Sequence, residues 1–180
     1  MRSLADLDAH LDNVRAAPRD SGTIELIVLR TSVGERAVVD EAELDIERGV
    51  VGDRWITSRS RHTPDGSPHP DQQLTLMSVR SAGAITERDR WPLAGDQLYV
   101  DLDLSQENLP IGTQLLLGEA LVEISALPHL GCAKFTERFG SDATKWVNGD
   151  VGKLLRLRGV NARIVRGGVV RRGDTLRRPG

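Results

Sequence analysis

Cysteine is nearly missing from this chain: its 180 residues hold one, Cys132. A lone thiol cannot close an intramolecular disulfide. It also excludes an iron–sulfur cluster or a structural zinc site built on several thiolates. It fits a reducing, cytoplasmic setting. Aromatic residues are scarce at 3%, which leaves no stacking platform for single-stranded nucleic acid. No apolar run approaches the about 20 residues that cross a bilayer. No basic-then-apolar segment opens the chain, so no signal peptide is expected. Neither sign of charge dominates. Lys and Arg number 24 against 26 Asp and Glu, a formal charge of −2, which excludes nucleic-acid binding through bulk positive charge. There is also no Walker-type glycine loop, no Gly-x-Gly-x-x-Gly after a strand and no Gly-x-Ser-x-Gly elbow.

What the chain does have is 39% hydrophobic residues, enough to bury a core and to exclude an acidic disordered chain. At this length one domain is the default. Leu4, Leu7, Leu11 and Val14 recur at helical spacing after a candidate cap, Ser3, and before Pro18. They predict an amphipathic helix within residues 1–20 that packs on the domain. Thr23–Thr31 reads as a strand buried on both faces, with a shorter strand near Arg36–Val39. Gly49 and Gly52 mark tight turns, and Arg59–Asp71 is a polar, Pro-rich, exposed loop.

Gln73–Met77 reads as a strand, and Ser78 caps a helix running on through Ile85 to Arg88. Gln97–Leu104 alternates as a half-buried strand, and Gln114–Leu117 with Ala120–Leu127 forms a strand–turn–strand. Short helices follow at Lys134–Phe139 and Ala143–Val147, separated by Gly140. Arg158–Arg166 is a strand, continued after Gly167 and Gly168 by Val169 and Val170. Many short strands, glycine turns and few helices predict a mainly β fold: a closed or nearly closed β-barrel with peripheral helices.

Chemistry centres on Cys132, which sits between a β-rich run and a predicted helix, near His129, Lys134 and Arg138. A helix start and nearby cations favour thiolate over thiol. A thiolate can attack a sulfur donor, carry a persulfide or ligate a soft metal such as molybdenum. The plain alternative is a small buried core residue. Asp53 and Arg54 offer either a bidentate grip on a phosphate or carboxylate, or an ion pair that fixes a loop. His62 and His69 are either general acid–base groups or solvated loop residues. Asn108 is either a turn former or an orienting amide at a pocket rim. Arg158 and Arg163 are either rim guanidiniums or a solvated strand face. Trp55, Trp91 and Trp146 suit packing better than ligand stacking.

The ordered set of short motifs resembles the MOSC domain, the C-terminal domain of molybdenum cofactor sulfurases. It comprises Gly52-Asp53-Arg54, Gln73-Leu74-Thr75-Leu76-Met77, Glu107-Asn108-Leu109, Gly118-Glu119-Ala120, Gly131-Cys132-Ala133-Lys134, Arg158-Gly159-Val160, Gly167-Gly168-Val169 and Gly173-Asp174. The match covers residues 22–176. The resemblance implies a barrel-like fold and a cysteine that carries sulfur or contacts a molybdenum cofactor, the position of Cys132. Asp53, Arg54, Asn108, Lys134 and Arg158 fall on matching motifs as candidate cofactor-binding residues, a pocket for an anionic pterin phosphate.

The chain departs from the family at Trp55, where many members have His, and at Gln106, where many have Gly. It has no room for the pyridoxal-phosphate desulfurase domain of the sulfurases, so its sulfur would have to come from a partner desulfurase. It also lacks the extra N-terminal β domain of the amidoxime-reducing relatives. It is similar to stand-alone bacterial-type members that help reduce N-hydroxylated bases.

Two functions follow from this. In one, Cys132 is the catalytic and metal-ligating residue of a cytoplasmic, molybdenum-cofactor-linked protein, or its persulfide carrier, served by a cysteine desulfurase or an electron-transfer partner. In the other, the barrel is a non-catalytic module that binds a small anion or a partner protein. The basic ending, Arg171–Arg178, is a weaker nucleic-acid candidate that the near-neutral charge disfavours; no nucleic-acid or membrane partner is expected. Cys132 is expected to open onto a cleft that Arg54, Asn108 or Lys134 also reaches.

Overall fold

The computed structural model describes residues 1–180. The N-terminal periodicity gives two short helices rather than one, α1 (Leu4–Asp8) and α2 (Leu11–Arg15), parted at Ala9 and His10. Ser3 and Asp6 form a reciprocal capping box on α1, whereas His10 places no side-chain cap on α2. The strands and helices that follow are β1 (Ser21–Leu29), β2 (Ala37–Val39), β3 (Glu41–Asp45), β4 (Gly49–Val50), β5 (Leu74–Ser78), α3 (Val79–Ile85) and β6 (Leu98–Asp101). The second half comprises β7 (Gln114–Leu117), β8 (Ala120–Ile124), α4 (Ala133–Phe139), α5 (Ser141–Asn148), α6 (Asp150–Leu154), β9 (Val160–Arg166), β10 (Gly168–Arg171) and β11 (Thr175–Arg177).

Seven strands close a barrel in the order β11-β7-β8-β9-β5-β6-β1, and β1 pairs with β11 to complete the circuit. Only β5 and β6 run parallel, and α3 supplies the crossover that a parallel pair needs. β2 extends one end of β1 outside the circuit, with Leu29 opposite Ala37. β10, β3 and β4 form a separate small sheet. No helix is long and apolar enough to cross a membrane.

Two cores result. One cluster of 22 buried apolar residues joins the barrel interior, with Ile24, Leu76, Val100, Val122 and Leu176, to the small sheet, with Leu44, Val50 and Val170. A second cluster of 16 lies between the outer wall of the barrel and the helices, where Leu26, Val28, Met77 and Tyr99 meet Leu7, Phe135, Phe139 and Trp146. Each fully buried Leu or Phe contributes about 1.5–3 kcal/mol of transfer free energy.

A bulge in β1 explains its long apolar run. The register against β6 shifts between Ile24 and Leu26, so Ile24 and Ile27 face inward while Leu26 and Val28 face the helices. Gly159, at φ 103°, immediately precedes β9; a Cβ there would overlap the carbonyl of Leu76, so only glycine lets the start of β9 approach β5 so closely.

Candidate functional site

The site grows from two buried carboxylates. Asp53 follows β4 and caps the 3₁₀ turn Arg54–Thr57, accepting from the Trp55 backbone N–H at 2.9 Å. The same carboxylate accepts from Arg30 Nε at 2.8 Å, Arg30 Nη2 at 2.7 Å and the Arg30 backbone N–H at 2.9 Å. Its side chain is fully buried, so this pairing both orients the guanidinium and ties the end of β1 to the β4 turn.

Asp96 precedes β6 and is also fully buried. Arg158 Nη1 donates to its Oδ2 at 2.5 Å, and His129 Nε2 lies 2.7 Å from its Oδ1. Burial alone would raise the Asp96 pKa, but Arg158 and His129 hold it well below the ordinary carboxylate range. Burial and Arg158 push His129 down, against the pull of Asp96, so its ring is neutral at neutral pH. A neutral ring that donates from Nε2 keeps Nδ1 as a free acceptor.

Arginines gather on the segment before Asp96. Arg138 Nη1 donates to the Leu93 carbonyl at 2.6 Å, Arg158 Nη2 to the Ala94 carbonyl at 2.8 Å and Arg30 Nη1 to the Gly95 carbonyl at 3.4 Å. Arg36 lies beside Gly95. Burial first, then Arg138 and Arg30, push Arg36 below the ordinary guanidinium value. Arg36 Nε and Arg158 Nε are buried with no hydrogen-bond partner.

Two cavities meet here. The smaller, about 220 Å³, is lined by Arg30, Arg54, Arg59, His69, His129 and Asn161 among others, and by no carboxylate. Neither Arg54 nor Arg59 makes a side-chain hydrogen bond or ion pair, so this cleft carries uncompensated positive charge at its surface. The larger, about 500 Å³, shares His129 and Asn161 with it.

Cys132 is the residue preceding α4, and it is exposed. Partial burial pushes its thiol up, but the backbone N–H groups of Phe135 and Lys134 and the Arg158 guanidinium outweigh that. The thiol therefore titrates below its ordinary value. Arg158 lies over the Phe135 ring at 5.0 Å, so the buried pair with Asp96 also presents the cation to the start of α4.

The candidate residues are therefore divided. Asp53, Arg54 and Arg158 belong to this cluster. Lys134 is exposed beside the thiol. Asn108 is elsewhere: its Nδ2 donates to the carbonyls of Arg19 at 3.0 Å and Asp103 at 2.8 Å, and Arg178 donates to its carbonyl. Cys132, Lys134 and Asn108 line neither cavity, so the expected cleft shared by the thiol with Arg54, Asn108 or Lys134 is not there: the thiol stands on the exposed start of α4, and Asn108 is tied to Arg19 and Asp103. His69 lines the smaller one and turns His62 edge-on at 6.3 Å. Arg163 pairs with Glu123 at 2.7 Å on an exposed strand face. Sequence reasoning missed Asp96, Arg30 and Arg36. The only local sign of Asp96 is a charged residue after Gly95 at the head of an alternating strand.

No family model matches the chain, and no curated protein matches it by sequence. Solved structures do share its fold. YiiM from Escherichia coli superposes with a TM-score of 0.56 at 22% identity, covering 88% of this chain and 70% of that one. YiiM from Geobacillus stearothermophilus gives 0.59 at 16% identity over 88% and 75%. The YUAD protein from Bacillus subtilis gives 0.57 at 15% identity over 87% and 94%. The barrel and its attached helices are thus a fold that these three bacterial proteins also adopt.

Proposed function

We propose that this chain is a cytoplasmic molybdenum-cofactor protein of the MOSC type in which Cys132 ligates the metal or carries a persulfide, acting in the reduction of N-hydroxylated substrates. The observation that carries this reading is an exposed thiol at the start of α4, lowered in pKa by backbone N–H groups and by Arg158, in a molecule that also holds an arginine cleft with no carboxylate in its walls. The residues fit an anionic cofactor. Arg54 and Arg59 line the cleft and make no ion pair. A pterin phosphate would find its counter-charge in Arg54 and Arg59. No group of three or more His, Cys, Asp or Glu residues is placed to hold a metal, so Cys132 would be the protein's own ligand. When bound, such a cofactor supplies the redox chemistry. The chain would bind its anion, set the thiolate, and accept or donate a proton at His129 Nδ1.

As a carrier, the Cys132 thiolate would attack the outer sulfur of a partner desulfurase's persulfide. The donor cysteine would leave as thiolate, and Cys132 would hold the persulfide with no net oxidant.

The test is metal, pterin and cyanide-releasable sulfur analysis of protein from a cofactor-making host, run beside Cys132→Ala. Molybdenum and pterin lost in the variant support the ligand role. Releasable sulfur lost in the variant supports the carrier role. Neither in the wild type overturns both and leaves a non-catalytic module for a small anion. One observation favours that module: Cys132 lines neither cavity.

A further inference from the structure

The larger cavity has features that the thiol and the arginine cleft do not explain. Its lining comes from the loop around Gln106–Ile111, from α6 and Arg156, and from Ser125–Leu130 with Gly159–Asn161. These parts are fastened together. Gln106 Nε2 donates to the Lys153 carbonyl at 3.0 Å, and Arg156 Nη1 donates to the Leu109 carbonyl at 2.6 Å. These hydrogen bonds fix the loop to α6 and Arg156, and the cavity's about 500 Å³ is room for a small organic molecule.

Its charges are one-sided. Lys153 and Arg156 line it with His129, and no Asp or Glu does. Arg156 is half-buried and forms no ion pair; burial pushes its guanidinium below the ordinary value. It also sits at φ 50°, the one non-glycine residue with positive φ, a conformation that costs about 1 kcal/mol or more. A half-buried cation facing a carboxylate-free cavity lacks the counter-charge that normally accompanies it. The remaining walls are apolar, with Ile111, Leu127, Leu130 and Val147. His129 and Asn161 are shared with the arginine cleft.

We infer that this cavity takes the substrate, a small molecule with an apolar or aromatic body and an anionic group held by Arg156 and Lys153. Calling the molecule a substrate rests on the molybdenum reading above; its binding does not, since neither the thiol nor a cofactor enters the contacts. The body packs against Ile111 and Leu130, the anion neutralises the α6 side, and the end nearest the cleft meets His129.

The experiment uses the whole chain without cofactor and three probes of one shape: hydrocinnamate, 3-phenylpropanol and 3-phenylpropylamine. Affinity is measured by titration calorimetry and by ¹⁵N shift mapping. Hydrocinnamate should bind about tenfold or more tighter than the amine, with shifts at Lys153, Leu130 and Asn161. Lys153→Glu should weaken it about fivefold, whereas Lys145→Glu, an equal charge change outside the cavity, should not. Ala126→Trp, on the cavity wall, should abolish binding while the unfolding midpoint stays unchanged. The inference is overturned if hydrocinnamate fails to bind, binds no tighter than the amine, or binds Ala126→Trp as well as wild type. Any of these leaves the metal and sulfur analysis untouched, and a metal-free wild type leaves this binding untouched.

Discussion

Arg158 is tolerable in the interior because Asp96 faces it at 2.5 Å. Asp96→Asn would keep the shape and remove the charge, leaving a buried guanidinium uncompensated. The expected loss is about 3–5 kcal/mol in denaturant unfolding. Both Asp96 and His129 titrate lower in the folded protein than in the unfolded chain, below their ordinary 3.8 and 6.5. Acid therefore protonates the unfolded state first. Stability should be full above about pH 6.5, fall below it as unfolded His129 takes up protons, and fall again below about pH 4 through Asp96. His129→Gln should remove the first decline and keep the second, read from midpoints across pH. At Cys132 the sign concerns reactivity. Iodoacetamide should alkylate the folded protein with an apparent pKa below that of the urea-unfolded chain, and Arg158→Gln should move it upward.

Among the elements, legibility followed length and patterning. The apolar run from Thr23 was readable as a strand, while the inward and outward assignment of its residues was not. The bulge after Ile24 reverses the alternation, and only pairing with β6 reveals it. α6 left no trace in the sequence: five residues are too few for a helical period, and Gly152 sits inside it because a Cβ there would overlap the Trp146 carbonyl. The N-terminal pattern gave helical residues and missed the break at Ala9 and His10. Gly159 was readable as a motif glycine, but its reason is tertiary. Gly159→Ala should cost about 1–3 kcal/mol from its positive φ alone, and more from the collision with Leu76, measurable as a lowered thermal midpoint.

For the molecule as a whole, closure rests on three residue pairs between β1 and β11, Ser21 with Arg177, Gly22 with Leu176 and Thr23 with Thr175. Removing residues 175–180 would free the edges of β1 and β7 and expose the barrel interior where Leu176 now sits. The truncated protein should lose a single cooperative transition and aggregate, visible by light scattering during heating. The barrel itself was legible from short strands and glycine turns. The site was legible only in part, because closure makes it. Asp96 meets a guanidinium 62 positions away, and no local pattern encodes that meeting. The thiol announced itself by being alone.

His129 and Asn161 form a party wall between two rooms. An occupant on one side that turns the imidazole or loads it with a proton changes what the neighbour finds on the other. Thermodynamics then requires the favour, or the penalty, to be returned by the same factor.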